Sequence, residues 1–194
     1  MHYSVTDDEK RRAKTPHHIF NINIIITHLF ASMIILEIGN TAALLLVPII
    51  SSLVIFWLYK KQQSVAKNDS WFVASHWLTA WRRGRILLIS YVIAVVMVLI
   101  YMLFDLMFPG GLSMNDFSTE GTQTNLGEII TLRFAALVIF VAVLITFMQT
   151  GIAVYDAGSG ISNPKIEKWL PRDEHANTEI ADKTVVTENH TDGK

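Results

Sequence analysis

The sequence predicts an all-α integral membrane protein: a four-helix bundle with a short amphipathic helix at the cytoplasmic interface. Three observations carry this expectation. Of 194 residues, 51% are hydrophobic and 17% are charged, against about 25% charged in a soluble domain. The apolar residues collect into four uncharged runs, 19–36, 41–59, 86–104 and 134–155. All but one of the 16 basic residues fall on one side of those runs. At 1.5 Å of rise per residue, about 20 residues cross a hydrocarbon layer of roughly 30 Å, so each run suffices for one span. Helices are expected because a lone strand would leave its backbone groups unpaired in lipid. Four buried helices of a soluble protein would each need a polar face, and 86–104 offers only Ser90 and two tyrosines.

Residues 1–18 form a basic N-terminus with Lys10, Arg11, Arg12 and Lys14. Such a start resembles a signal peptide, but the apolar run is long for one and no small-residue cleavage site follows cleanly. Span one is therefore read as an uncleaved helix. Gly39 and Asn40 close a tight hairpin to span two. Pro109, Gly110 and Gly111 stop span three and open a loop containing Asp116, Glu120 and Glu128. The basic residues cluster before span one, between spans two and three, and after span four, which accounts for 15 of the 16; the exception is Arg133. Positive-inside reasoning places both termini and the middle loop in the cytoplasm, and the hairpin and acidic loop outside. Residues 156–194 read as a polar, largely flexible cytoplasmic tail, with Trp169 available to anchor its first part. The N-x-S/T matches at Asn68 and Asn189 fall on the cytoplasmic side and are read as chance.

Residues 70–85 are the most informative stretch. Trp71, Ala74, Trp77, Leu78 and Trp81 recur at helical spacing, and Arg82, Arg83 and Arg85 follow. This pattern predicts a helix in the headgroup layer, with rings at the boundary and guanidinium groups on anionic phosphates. It serves either as an ordinary aromatic belt or as a specific lipid or partner surface.

Span one carries a polar stripe. His17, Asn21, His28 and Ser32 share one helical face and should turn inward. Span four offers Gln149 on a similar stripe with Ala142, Thr146, Ala153 and Asp156, and Asn21 and Gln149 fit one depth. The stripe is either interhelical glue, at about 1 kcal/mol per bond, or the lining of a substrate or proton path. Axial ligation of haem by His28 is a remote alternative, since that needs a facing histidine or methionine. At the outer rim, Arg133 either pairs with Glu37 or Asp105 or snorkels alone.

The absence of cysteine excludes disulfides, thiolate metal sites and cysteine nucleophiles. A net charge of −1 offers no bulk attraction to nucleic acid. The sequence contains no phosphate-binding loop, zinc-protease, serine-hydrolase or dinucleotide motif. Spans one–two and three–four do not repeat, so the inverted-repeat transporter pattern is missing. No catalytic, cofactor or metal site is expected. The expected partners are the bilayer, with anionic headgroups at its cytoplasmic face, and other membrane proteins or a second copy.

Ser75-His76 followed by Arg82 to Arg85 before span three, the exit of span four from Gly151 to Pro164 toward Trp169, and the tight first pair of spans carry a family likeness. On these features the chain resembles the small four-helix bacterial membrane proteins of the Tic20- and DUF4870-like group, over about residues 19–169. The long acidic loop and the polar tail depart from that pattern. The resemblance implies a fold and not a reaction, and by fold-level analogy a part in a membrane assembly; a bacterial inner membrane is the expected location. Two functions are carried forward: a non-catalytic membrane subunit or assembly protein, and a homo-oligomeric transporter or channel lined by Asn21, His28 and Gln149.

Overall fold

A computed structural model describes residues 1–38, 41–108, 113–115 and 123–172. Gly39, Asn40, 109–112, 116–122 and 173–194 lie outside it, so the hairpin glycine, the Pro-Gly-Gly stop, most of the acidic loop and the distal tail go undescribed. Four helices among the described residues are long and apolar enough to cross a membrane: Asp7–Ile35, Ala43–Asn68, Trp71–Met107 and Leu126–Gly158.

The first begins as α1, Asp7–Asn23, about three turns earlier than the apolar run. Thr6 caps it: its side chain accepts from the Glu9 amide while the Glu9 carboxylate accepts from the Thr6 amide. Asp7, Asp8 and Glu9 sit at the positive end of the helix dipole. The helix then widens into a π-helical segment, Ile24–Ala31, and tightens again as α2, Ser32–Ile38. A short 3₁₀ turn, Thr41–Leu45, leads into α3, Leu46–Asn68. Only Asp69 and Ser70 separate α3 from α4, Trp71–Met107. Asp69 accepts from the Ser70 amide and pairs with Arg12, which also binds Asp8. That network pins the α3–α4 turn to the start of α1. A two-stranded antiparallel ribbon, β1 (Ser113–Asn115) and β2 (Gln123–Asn125), precedes α5, Leu126–Gly158.

The structure corrects two expectations. Residues 70–85 are not a separate interfacial helix but the first four turns of α4, which continues into the third span without a break. The aromatic periodicity arises from burial against protein: Trp77 is buried and its ring lies 6.1 Å from that of Trp57. The second correction concerns the tail. Residues 159–172 fold back onto the basic end of the helices and are not a free extension. Tyr3 N–H donates to Gly160 O (2.8 Å), Ser162 N–H to Met1 O (3.1 Å), and His2 bridges Ile161. Gly160 makes the return possible. Its φ is +68°, and a Cβ there would lie 2.9 Å from Tyr3 O. Ile166 is buried, and Trp71 Nε1 donates to Leu170 O (2.9 Å). Arg172 stacks over Tyr3 and Trp71. Burial and the nearby Glu167 carboxylate raise the pKa of the Tyr3 phenol above its ordinary value.

The core lies toward the basic end. Phe20, Ile24, Ile55, Leu58, Val73, Trp77, Leu87, Tyr91 and Ala142 form one buried cluster. Gly84 lets α4 approach α3 and α1 closely; a Cβ there would sit 2.8 Å from Ile55 Cγ2 and 3.4 Å from Phe20. Beyond Ala94, no residue of α4 is buried, and the helix presents Leu99, Ile100, Leu103 and Leu106 outward.

Candidate functional site

Two buried polar groups stand out, one at the basic end and one about half-way along the helices. At the basic end, Ala13, Phe72 and Ala157 meet in a small apolar cluster and set a common level for α1, α4 and α5. One turn above it, His17 of α1 meets His76 of α4. His17 is fully buried and His76 nearly so. His17 Nε2 and His76 Nδ1 lie 3.1 Å apart, with the rings edge-on, and His76 Nε2 lies 3.1 Å from Ile161 O. A carbonyl can only accept, so His76 Nε2 carries the hydrogen in the neutral pair. His76 Nδ1 then accepts from His17 Nε2. Beside the pair, the Ser75 and Ser162 hydroxyls lie 2.9 Å apart. The histidine–carbonyl chain and the serine pair both clasp the return segment to the helices.

About half-way along, a network joins α1, α3 and α4. Asn23 Nδ2 donates to Ser51 Oγ (2.9 Å), and Thr27 Oγ1 bonds to Asn23 O and lies 3.0 Å from Asn23 Oδ1. The Tyr91 hydroxyl lies 2.6 Å from His28 Nε2, with the two rings stacked. Asn23, Thr27 and Ser51 are all buried. The π-helical segment contains Thr27 and His28. Ser32 Oγ reaches back five residues to Thr27 O at 3.5 Å. Segments of this kind occur disproportionately at functional sites.

The residues singled out from sequence distribute between these groups and the surface. Asn21 is half-buried with Oδ1 unpartnered. Eight residues separate Asn21 from Ala13 and Gln149 from Ala157, so the two lie at one level, about 12 Å along their antiparallel helices. The structure places no hydrogen bond between them. His28 and Ser32 belong to the half-way network. Trp71 holds the return segment, Trp77 is core, and Trp81 packs 4.7 Å from the Tyr59 ring. Arg82 stacks over Trp169 at 4.9 Å, Arg85 is exposed, and Arg83 turns inward with Nη1 buried and unpartnered. Arg133 is exposed and makes no ion pair among the described residues. Near it a cleft of about 400 Å³ between α4 and α5 is lined by Tyr101, Asp105, Asn125, Glu128 and Thr131. His28 has no second histidine facing it, because His17 and His76 pair with each other nearer the basic end, and its Nε2 already meets Tyr91.

Sequence reasoning placed His17 on the inward stripe but did not pair it with His76. It also missed Asn23, Thr27, Ser51 and Tyr91. The i,i+4 spacing of Asn23 and Thr27 was a usable signal. No family model matches the chain, and the searches of curated proteins and of solved structures found nothing similar to it.

Proposed function

We propose that this chain is an integral membrane protein of a bacterial inner membrane, with both termini cytoplasmic, acting as a non-catalytic subunit or assembly protein that packs against partner membrane proteins. One observation supports this reading above the others. His17, Asn23 and His28 of span one are bonded to α3 and α4, whereas the outer half of α4 exposes an apolar surface that none of the described residues covers. Polar groups used as interhelical glue and a long apolar exterior suit a protein that works through helix faces. The exposed cations Arg11, Lys60, Lys61, Lys67, Arg85, Lys165 and Lys168 lie at the basic end, where anionic headgroups would meet them. The test is crosslinking and native mass measurement in mild detergent. Co-purification with a larger membrane complex is the expected result, and a lone monomer with no partner in intact membranes would refute it.

A second reading is favoured by the π-helical turn at Thr27 and His28: a homo-oligomeric transporter or channel lined by span one. A closed homo-oligomer, with flux in vesicles abolished by His28→Leu in a folded protein, would replace the first reading with this one.

A further inference from the structure

Charge is segregated between two parts of the chain. The basic end, residues 7–14, 60–85 and 156–172, holds thirteen basic residues against six acidic ones, a surplus of seven. Residues 173–194 hold six acidic residues, Asp173, Glu174, Glu179, Asp182, Glu188 and Asp192, against Lys183 and Lys194. Most acidic groups of the basic end are already engaged. Asp7 pairs with Lys10, Asp8 with Arg11 and Arg12, Asp69 with Arg12, and Glu9 closes the cap of α1. Lys60, Lys61, Lys67, Arg85, Lys165 and Lys168 are exposed and form no ion pair among the described residues.

The point from which the acidic segment departs is fixed among these cations. Arg172 Cζ lies 5.1 Å from the Tyr3 ring centroid and 5.7 Å from that of Trp71, whose Nε1 holds Leu170 O. Asp173 therefore starts near the level of Trp71, the first residue of α4. Lys67 lies in the last turn of α3, four residues before Trp71. The Tyr59–Trp81 ring contact at 4.7 Å sets Lys60 and Lys61 near the level of Trp81, about 15 Å along α4 from Trp71. The stacking of Arg82 over Trp169 brings Lys168 to the same level. Seven residues of chain span at most about 24 Å, so the acidic residues from Glu179 onward can reach all of these cations.

We propose that residues 173–194 dock by charge on the exposed cations of the basic end and compete there with anionic headgroups. This rests on the reading that the basic end meets such headgroups. Tethering at Arg172 holds the acidic groups at an effective concentration of about millimolar, and that tether favours the chain's own tail over a second copy. Screening over about 8 Å at physiological salt confines the attraction to close approach, so docking weakens as salt rises.

Two measurements on the full chain test the proposal. The first is carbodiimide coupling in neutral detergent without lipid, on an equal mixture of ¹⁴N- and ¹⁵N-labelled protein, read by peptide mass spectrometry. Couplings within one chain from Glu179, Asp182 or Glu188 to Lys60, Lys61 or Lys67 are expected at about 50 mM salt and should be lost at about 0.5 M. Their absence, or couplings between chains only, would overturn the docking. The second compares wild type with a variant carrying Asp173→Asn, Glu174→Gln, Glu179→Gln, Asp182→Asn, Glu188→Gln and Asp192→Asn, by native mass measurement as phosphatidylglycerol is titrated in. The variant should bind the lipid about fivefold more tightly at low salt, the effect of returning one basic residue to the headgroups. At high salt the two should bind equally. Equal binding at low salt overturns the competition. If neither protein binds phosphatidylglycerol, the headgroup reading falls and the competition with it, while the couplings still decide the docking.

Discussion

Gly84 and Gly151 form a controlled pair, because the same substitution should have opposite effects at the two sites. Alanine gains roughly 0.5–1 kcal/mol over glycine inside a helix. At Gly151 of α5, a new Cβ meets nothing within 4 Å, so Gly151→Ala should realise most of that gain. At Gly84, the Cβ lies 2.8 Å from Ile55 Cγ2, and Ile55 is fully buried against Phe20 and Leu58. Cγ2 is a branch close to the backbone and cannot swing away without moving α3. Overpacking of this kind costs about 1–3 kcal/mol. The net expectation for Gly84→Ala is a loss of about 1 kcal/mol, and for Gly84→Val a loss of about 3 kcal/mol or more. For a chain of this size 1 kcal/mol moves Tm by roughly 2–4 °C. The assay is thermal unfolding of purified protein in one detergent, followed by tryptophan fluorescence. A Gly84→Ala protein as stable as wild type, alongside a stabilised Gly151→Ala, would refute the close approach of α4 to α3.

In the half-way network, Tyr91→Phe should cost about 1 kcal/mol by leaving His28 short of a partner. Adding His28→Leu should cost little more, so additive losses in a thermal double-mutant cycle would break the pairing argument. Gly160→Ala forces a left-handed residue to carry a Cβ against Tyr3 O. It should speed tryptic cleavage at Lys168 and Arg172, and an unchanged digestion rate would contradict the clasp. A C-terminal alkaline phosphatase fusion should be inactive while a fluorescent-protein fusion is bright; the reverse pattern would invert the proposed orientation.

The four apolar runs were legible because hydropathy integrates over 20 residues and tolerates local error. Helix ends were less so. The Thr6–Glu9 capping box was present in the sequence and announces a helix start at Asp7, yet the apolar run drew attention to Ile19 instead. The polar stripe of span one was drawn with 3.6 residues per turn. The π-helical segment turns more slowly, so Thr27 takes a buried place that the straight wheel did not mark, and Ser32 bonds five residues back. Trp71, Trp77 and Trp81 read as one helical face, but only Trp77 and Trp81 meet α3, while Trp71 holds the return segment. What that face meets is a tertiary fact, and periodicity alone does not distinguish a headgroup layer from Trp57 and Tyr59. The His17–His76 contact joins positions 59 apart and rests on Ile161, 85 further on. Nothing local encodes it.

The clasp has a consequence for how the protein is made. His2 and Tyr3 leave the ribosome well before their partners Gly160 and Ile161, which lie some 157 to 159 residues further along the chain. The basic end of the first helix therefore cannot close until the fourth helix has been delivered to the bilayer. Until then, His17 and the edge of α1 remain open to whatever waits at the membrane surface. Closure of this end is thus set by arrival of the return segment after the fourth helix and not by entry of the first span.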